Sequence, residues 1–278
     1  MKVLIVGANS SVGQALKTVL SESCEVVTAG RKNCDIALDL TWPAERFLLP
    51  DDVDAIVHTA AHFGGKTNDD ILGAEEVNVL GTLKLCQAAA SATVRHFVLI
   101  SSIFASLSDD SEHYSVYALS KKHSEDVARF VCRGHSLPLT VLRPSQIYGT
   151  GPRFRMHQPF LYLMIDKARK GEDIALYGTR DPLRNFIYVD DLAAVISRVL
   201  SKRLVGTYSC QHPRDVTYSE IAKAAFRAFD TRGNVRFLRD KPDIPDNVVA
   251  IDEALYEAIG FRPSTSIDEG LVRIARMS

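Results

Sequence analysis

Tyr117 and Lys121 stand four residues apart, in the run Tyr117-Ala118-Leu119-Ser120-Lys121. In a helix that spacing puts both side chains on one face. An ammonium beside a phenol, joined by the charge of a bound cofactor, draws the phenol's pKa toward neutrality. Tyr117 is then a candidate base for a substrate hydroxyl whose hydride departs, and the acid when the reaction runs backwards. Lys121 is expected to hydrogen-bond a nicotinamide ribose as well. Ser102 follows the apolar run His96–Ile100, where a strand-end hydroxyl can bind and orient the same substrate oxygen. Ser102, Tyr117 and Lys121 are therefore the expected catalytic set. A tyrosine and a lysine four apart also occur on ordinary surface helices; the ordered set, with a glycine turn upstream, is the stronger signal. Tyr114 is a rival base, but its fourth neighbour onward is Ala118.

These residues need a frame. Lys2–Val6 reads as a strand, and Val12, Leu16, Val19 and Leu20 mark a helix behind it. Between them lies Gly7-Ala8-Asn9-Ser10-Ser11-Val12-Gly13, a strand–turn–helix context suited to a dinucleotide. Gly7 makes the tight turn, Gly13 lets helix and sheet approach, and the helix-start N–H groups face a pyrophosphate. Ser10 stands where a middle glycine is common, and its hydroxyl is expected to narrow the site or to donate to phosphate. Gly7, Asn9, Ser10, Ser11, Val12 and Gly13 are thus expected to bind the cofactor.

After the second strand, Glu25–Ala29, an acidic residue would select NAD. This chain has Gly30-Arg31-Lys32, and Arg31 favours NADP through a ribose 2′-phosphate. Asp39 and Leu40 are expected to flank the adenine. His58-Thr59-Ala60-Ala61 closes the next strand with small residues, and Thr59, Ala60 and Ala61 are expected along the cofactor.

Further strands are expected at 54–59, 96–100, 137–144, 185–189 and 205–208. Helices are expected at about 71–90, 115–132, 160–169, 190–200, 218–229, 252–259 and 267–277, with a loop over 239–247. This alternation predicts an α/β chain: a Rossmann-type, doubly wound parallel sheet with a small C-terminal substrate-binding lobe. Residues 1–150 are assigned mainly to NAD(P) binding and 151–278 mainly to substrate, with about 185–210 returning to the main domain.

Bulk composition narrows the function. Among 278 residues, Lys+Arg number 33 against Asp+Glu 34, so the basic excess of a nucleic-acid binder is missing. Five cysteines, none in a CxxC pair, suit a reducing cytoplasm. The longest apolar runs fall short of a bilayer span. No metal, membrane or nucleic-acid partner is expected.

With these motifs in place, the chain resembles the extended short-chain dehydrogenase/reductase family, in its branch of NAD(P)-dependent nucleotide-sugar epimerases, dehydratases and reductases. Gly7–Gly13 resembles the family's GxxGxxG turn, with Ser10 as the departure. Ala60-Ala61, Asn78-Val79-Leu80-Gly81-Thr82, Ser101-Ser102 and the Tyr117–Lys121 run are similar to further signatures. So are Leu142-Arg143-Pro144-Ser145-Gln146-Ile147-Tyr148-Gly149 and Arg184-Asn185-Phe186-Ile187-Tyr188-Val189-Asp190-Asp191. The resemblance implies NAD or NADP as cofactor, with Asn78, Pro144 and Ile147 joining Tyr117 and Lys121 around it. It implies a nucleoside-diphosphate sugar as substrate, met by His62, Ser102, Ile103, Tyr117, Arg153 and Arg184. Arg184 is the first candidate phosphate ligand, through a bidentate guanidinium match; Arg153 and Arg155 are weaker ones, and a structural salt bridge is the alternative for Arg184. Asn78 is expected to support the active-site backbone, Tyr188 to pack, and Asp190 to cap a helix. The resemblance also implies a homodimer built from the helices at 71–90 and 115–132.

The reaction is left open between two uses of one site: epimerisation through a 4-keto intermediate, and NADPH-dependent reduction of a keto sugar or another small carbonyl compound. A dehydratase is disfavoured because Ile103-Phe104 follows Ser102 where that branch has an Asp-Glu pair. Ala105-Ser106-Leu107 alters the pocket wall that follows. Ala61-His62-Phe63-Gly64-Gly65 resembles the double glycine of epimerase/reductases. Those enzymes need a Cys/His pair, and although His157 offers one member, no cysteine lies beside Ser102. A non-catalytic dinucleotide-binding protein is the alternative of another class.

Overall fold

The structure is a computed structural model and describes residues 1–92 and 94–277. In chain order the first part comprises β1 (Lys2–Val6), α1 (Ser11–Leu20), β2 (Glu25–Gly30), β3 (Ile36–Ala37), β4 (Ala55–His58) and α2 (Asn68–Ala74). A π-helical segment (Glu75–Leu80) leads into α3 (Gly81–Ser91). Then come β5 (His96–Ile100), a 3-10 turn (Ile103–Ser106), α4 (Val116–Gly134) and β6 (Leu139–Pro144).

The remainder holds β7 (Gln146–Tyr148), α5 (Pro152–His157), α6 (Pro159–Arg169), β8 (Ile174–Tyr177), β9 (Leu183–Arg184), β10 (Phe186–Tyr188) and α7 (Val189–Lys202). It continues with β11 (Gly206–Cys210), β12 (Val216–Thr217), α8 (Tyr218–Ala228), β13 (Val235–Leu238), α9 (Ala254–Ile259) and α10 (Ile267–Arg276).

Seven strands form one parallel sheet in the order β11-β6-β5-β4-β1-β2-β3. This is the expected Rossmann-type sheet. Its chain starts at β1, moves outward through β2 and β3, then returns to β4 on the other side. The reversal between β1 and β4 opens a crevice at the strands' carboxyl ends, where ligands of such sheets bind. Leu4, Val6, Ile56, Phe97, Leu99 and Val141 are buried against Leu85 and Ala89 of α3 and Ala128 and Val131 of α4. The alternate residues Val3, Ile5, Val57, Val98 and Leu142 are buried too. Burial on both faces explains why these strands read as unbroken apolar runs.

The chain divides into two compact units: residues 1–144, 193–210 and 252–261, and residues 145–192, 211–251 and 262–278. In the second, β7 pairs with β10, β8 with β13 and β9 with β12. Capping boxes start α8 (Thr217 with Glu220) and α10 (Ser266 with Glu269). Asp190 is the second residue of α7 rather than its cap, and it lies 3.4 Å from Arg273. Asp191 instead does the anchoring, accepting from the backbone N–H groups of Ser264 and Thr265 and from the Thr265 hydroxyl.

Candidate active site

The glycine turn is sterically determined. Gly7 has φ +84°, and a Cβ there would sit 2.5 Å from the Ala60 nitrogen. A Cβ on Gly13 would sit 2.5 Å from the Gly7 carbonyl oxygen. Ser10 is the N-cap of α1, its Oγ accepting from the Gly13 N–H at 2.9 Å. Ser10 Oγ also lies 3.0 Å from Thr59 Oγ1, which itself faces the Val6 and Gly7 carbonyls. With Thr59's one proton directed at those carbonyls, Ser10's own proton goes to Thr59. Within the protein the Ser10 hydroxyl is thus engaged by both Gly13 and Thr59. Ser11 and Val12 follow as the first helical residues, whose N–H groups lack intrahelical partners. The turn thus keeps the amide donors and close backbone approach that a pyrophosphate requires.

The neighbouring turn between β2 and β3 is pinned. The Asn9 side-chain amide donates to the Lys32 carbonyl. Asp35 accepts from the Thr28 hydroxyl at 2.7 Å and the Thr28 N–H at 2.9 Å, which holds its carboxyl below its ordinary pKa. Arg31 and Lys32 project from this turn and are exposed. Asp39 turns back on Thr41, accepting from its N–H and hydroxyl. Leu40 is buried where Gly81 leaves room, since a Cβ there would come within 2.7 Å of Leu40 Cβ. Beyond it, the Arg46 guanidinium stacks 3.6 Å from the Trp42 ring centre, and Lys84 Nζ donates to the Trp42 carbonyl at 2.7 Å.

Ser102, Tyr117 and Lys121 come together at the carboxyl end of β5. The Ser102 hydroxyl caps the 3-10 turn through the Phe104 N–H at 3.2 Å and acts electrostatically on the Tyr117 phenol. Ser115 caps α4, which fixes Tyr117 in its first turn. Lys121 is buried; its Nζ donates to the Ile100 carbonyl at 2.7 Å and lies 5.9 Å from the Tyr117 ring centre. Burial pushes the Tyr117 phenol up, against the Ser102 hydroxyl. Burial draws Lys121 down to about 8, opposed by Glu125. The protein's own groups thus leave the phenol protonated, and the expected lowering calls for the cofactor's charge beside that of Lys121. The ammonium is committed to a backbone carbonyl, and desolvation of the phenol dominates.

A family model described as the NAD dependent epimerase/dehydratase family matches residues 3–209. The chain belongs to this family. It is accordingly an enzyme that uses NAD or NADP. The family member is similar to CDP-abequose synthase of Salmonella typhimurium, with 24% identity over 72% of this chain and 70% of that protein. It also resembles the crystal structure of UDP-N-acetylglucosamine 4-epimerase from Bacillus cereus (TM-score 0.82, 20% identity, covering 100% of this chain and 96% of that one). RMD from Pseudomonas aeruginosa, solved with NADPH, is similar as well (TM-score 0.80, 19% identity, covering 99% and 97%). At these identities the likeness of the solved structures is one of fold.

Around the epimerase-family site, Asn78 supports the backbone, as expected, while the roles of Thr82, His58 and Glu125 were not anticipated. Asn78 lies in the π-helical segment, where its side chain holds both backbone groups of His62 at 2.7 Å and donates to Ser120 Oγ at 2.9 Å. Thr82 Oγ1 donates to the Asn78 carbonyl at 2.6 Å, so it accepts from His58 Nε2 at 3.1 Å. That places a proton on His58 Nε2, and burial, with Lys121 nearby adding to the effect, holds its pKa down at about 3, so the ring is neutral. Glu125, 1% exposed, accepts from Ser101, from Arg143 and from Arg129. Burial raises its pKa, and these bonds outweigh that to hold it low. The available signal was an arginine inside the otherwise apolar strand β6 and a glutamate one helical turn beyond Lys121.

The remaining expected site residues divide by unit. Pro144 ends β6 and is buried, while Ile147 sits in β7. Ile103 is 2% exposed, its side chain turned into the core. Arg153 is exposed on α5, and Arg155 pairs with Asp166 at 2.6 Å. Arg184 is 4% exposed and donates to the Tyr218 hydroxyl and to the Leu183 and Pro245 carbonyls. Its ring contact with Tyr218 and these carbonyls take the place of the salt bridge to aspartate that was the alternative to phosphate binding. Tyr188 is buried, edge-on to Tyr148 at 5.2 Å. Among the described residues, no helix is long and apolar enough to cross a membrane, and no cluster of three or more metal-ligating side chains is present.

Proposed function

We propose that the enzyme oxidises the C4 hydroxyl of a nucleoside-diphosphate sugar through Ser102, Tyr117 and Lys121, and that the resulting 4-keto sugar is reduced again on its other face. The observation that carries this reading is the gathering of Ser102, Tyr117 and Lys121 at the carboxyl end of β5, with the buried Lys121 Nζ on the Ile100 carbonyl and 5.9 Å from the Tyr117 ring centre. Ser102 holds the substrate oxygen. Tyr117 takes the hydroxyl proton in oxidation and returns it in reduction. Lys121 binds the ribose and supplies a positive charge beside the phenol. The nicotinamide cofactor, when bound, supplies hydride acceptance and return. Residues 1–150 are its main binding region, with Gly7, Ser11, Val12 and Gly13 at the pyrophosphate and Thr59, Ala60 and Ala61 alongside. Residues 151–278 supply sugar-nucleotide contacts, with Arg153 as the exposed guanidinium. CDP-abequose synthase and UDP-N-acetylglucosamine 4-epimerase, named among the similar proteins, support a sugar nucleotide as the substrate class.

A second reading is favoured by the pinned turn that presents Arg31 and Lys32. Two cations at that point suit a 2′-phosphate, hence NADPH and a reductase whose cofactor leaves each cycle. The decisive experiment denatures freshly purified protein and identifies the released nucleotide by mass spectrometry. Near-stoichiometric NAD supports the epimerase. An empty protein binding NADPH more tightly than NADH supports the reductase. Turnover that is unchanged by Tyr117→Phe overturns both.

A further inference from the structure

The strap after β4 lies directly over the proposed base. The Phe63 ring stacks on Tyr117 with centroids 5.0 Å apart and planes 15° apart, yet Phe63 is 48% exposed. Phe104 meets the same phenol edge-on at 6.5 Å and 81°. Half-exposed phenyl groups normally move, but this one sits on a tethered backbone. Asn78 grips both backbone groups of His62, one residue before it. The Gly64 N–H, one residue after it, donates to His62 Nδ1 at 2.9 Å. Gly64 has φ +70°, and a Cβ there would come 2.3 Å from Val116 Cγ1. The strap therefore runs hard against the start of α4, where only glycine fits.

Resting on the assignment of Tyr117 as acid/base, we infer that Phe63 is a positioning residue: it keeps water off the phenol, so that Tyr117 ionises only when the cofactor's charge stands beside it. The charged and titratable groups around Tyr117 fit this. From α4 the nearest is Lys121, held by Ile100. From β4 there is His58, neutral and bonded to Thr82. From the strap there is His62, whose Nδ1 accepts from Gly64. Glu75 of the π-helical segment is paired with His123, Asp70 of α2 is engaged with Thr67, and Glu125 is paired with Arg143 of β6. No carboxylate among these is paired with the phenol, so desolvation, to which the ring contributes, outweighs the opposing Ser102 hydroxyl in holding it protonated.

Two variants separate shielding from bulk: Phe63→Ala opens the phenol to water, and Phe63→Leu keeps an apolar cover. The first readout is tyrosinate absorbance in a pH titration. The Tyr117 signal is taken as the difference between each protein and its own Tyr117→Phe counterpart, since the chain has nine tyrosines. Phe63→Ala is expected to lower the Tyr117 midpoint by about one pH unit or more, with Phe63→Leu close to the parent protein. The second readout is kcat/KM against pH in the oxidising direction at saturating cofactor. Its rising limb is expected to move to lower pH in Phe63→Ala only. An unmoved midpoint and limb, with KM alone raised, makes Phe63 a substrate wall and overturns the inference. Full activity in Tyr117→Phe itself would instead overturn the underlying assignment of the base, whatever Phe63 does.

Discussion

Lys121 is buried as a cation-bearing group, and its folded-state pKa of about 8 lies below the ordinary lysine value of 10.5. The unfolded chain then binds more protons than the folded one between those two values. Stability accordingly rises as pH increases from about 8 to about 10.5, and below about 8 the burial penalty is fully present. Lys121→Met is expected to abolish this rise, while activity falls by about a hundredfold or more. Urea midpoints at several pH values check it, and an undiminished slope would refute the assignment. Ser102, Tyr117 and Lys121 were legible because a strand end and a four-residue spacing fix their relations locally. Phe63 and Glu125 were not: their partners are Tyr117, Ser101 and Arg143, and only the tertiary fold makes those neighbours. Ser10 shows a subtler gap, since its position was clear but its hydroxyl's partner, Thr59, lies 49 residues away.

At the scale of elements, the helix expected over 71–90 is interrupted by a π-helical segment at Glu75–Leu80. Apolar periodicity continues across it, so the pattern alone does not show the extra residue in the turn. The wider turn is what turns Asn78 toward His62 and Ser120. Asn78→Ala would leave both half-buried backbone groups of His62 without their partner and remove a donor to the buried Ser120 hydroxyl. A loss of about 2 kcal/mol or more is expected in urea unfolding, with faster amide exchange confined first to residues 61–65. Uniform exchange across the chain would argue against a local clamp. The parallel sheet was legible from its long β-branched runs. The strands of the second unit were largely not, because β9 and β12 are two residues each and β7 three, too short for alternation to register.

At the scale of the whole molecule, several large apolar side chains of the first unit face outward. Leu72 is 67% exposed on α2, Leu80 51% on the π-helical segment and Phe130 81% on α4. Exposed apolar surface on neighbouring helices is the expected signature of a covered face, and we propose a homodimer formed there. Phe130→Glu is expected to shift sedimentation from dimer to monomer without altering cofactor affinity, and a monomeric parent protein would rule the proposal out. The near balance of 33 basic and 34 acidic residues means that neither long-range repulsion nor attraction dominates such self-association.

The chain's single tryptophan lies two residues beyond Leu40, beneath the Arg46 guanidinium and with its carbonyl held by Lys84. Indole emits at wavelengths that reduced nicotinamides absorb and oxidised ones do not. Excitation of Trp42 will therefore pass to a bound reduced cofactor and be lost from the indole's own glow. The oxidised form will leave that glow unquenched by transfer. The molecule carries its own lamp for the redox state of its site, and each turnover can be followed as a dimming and a return of light.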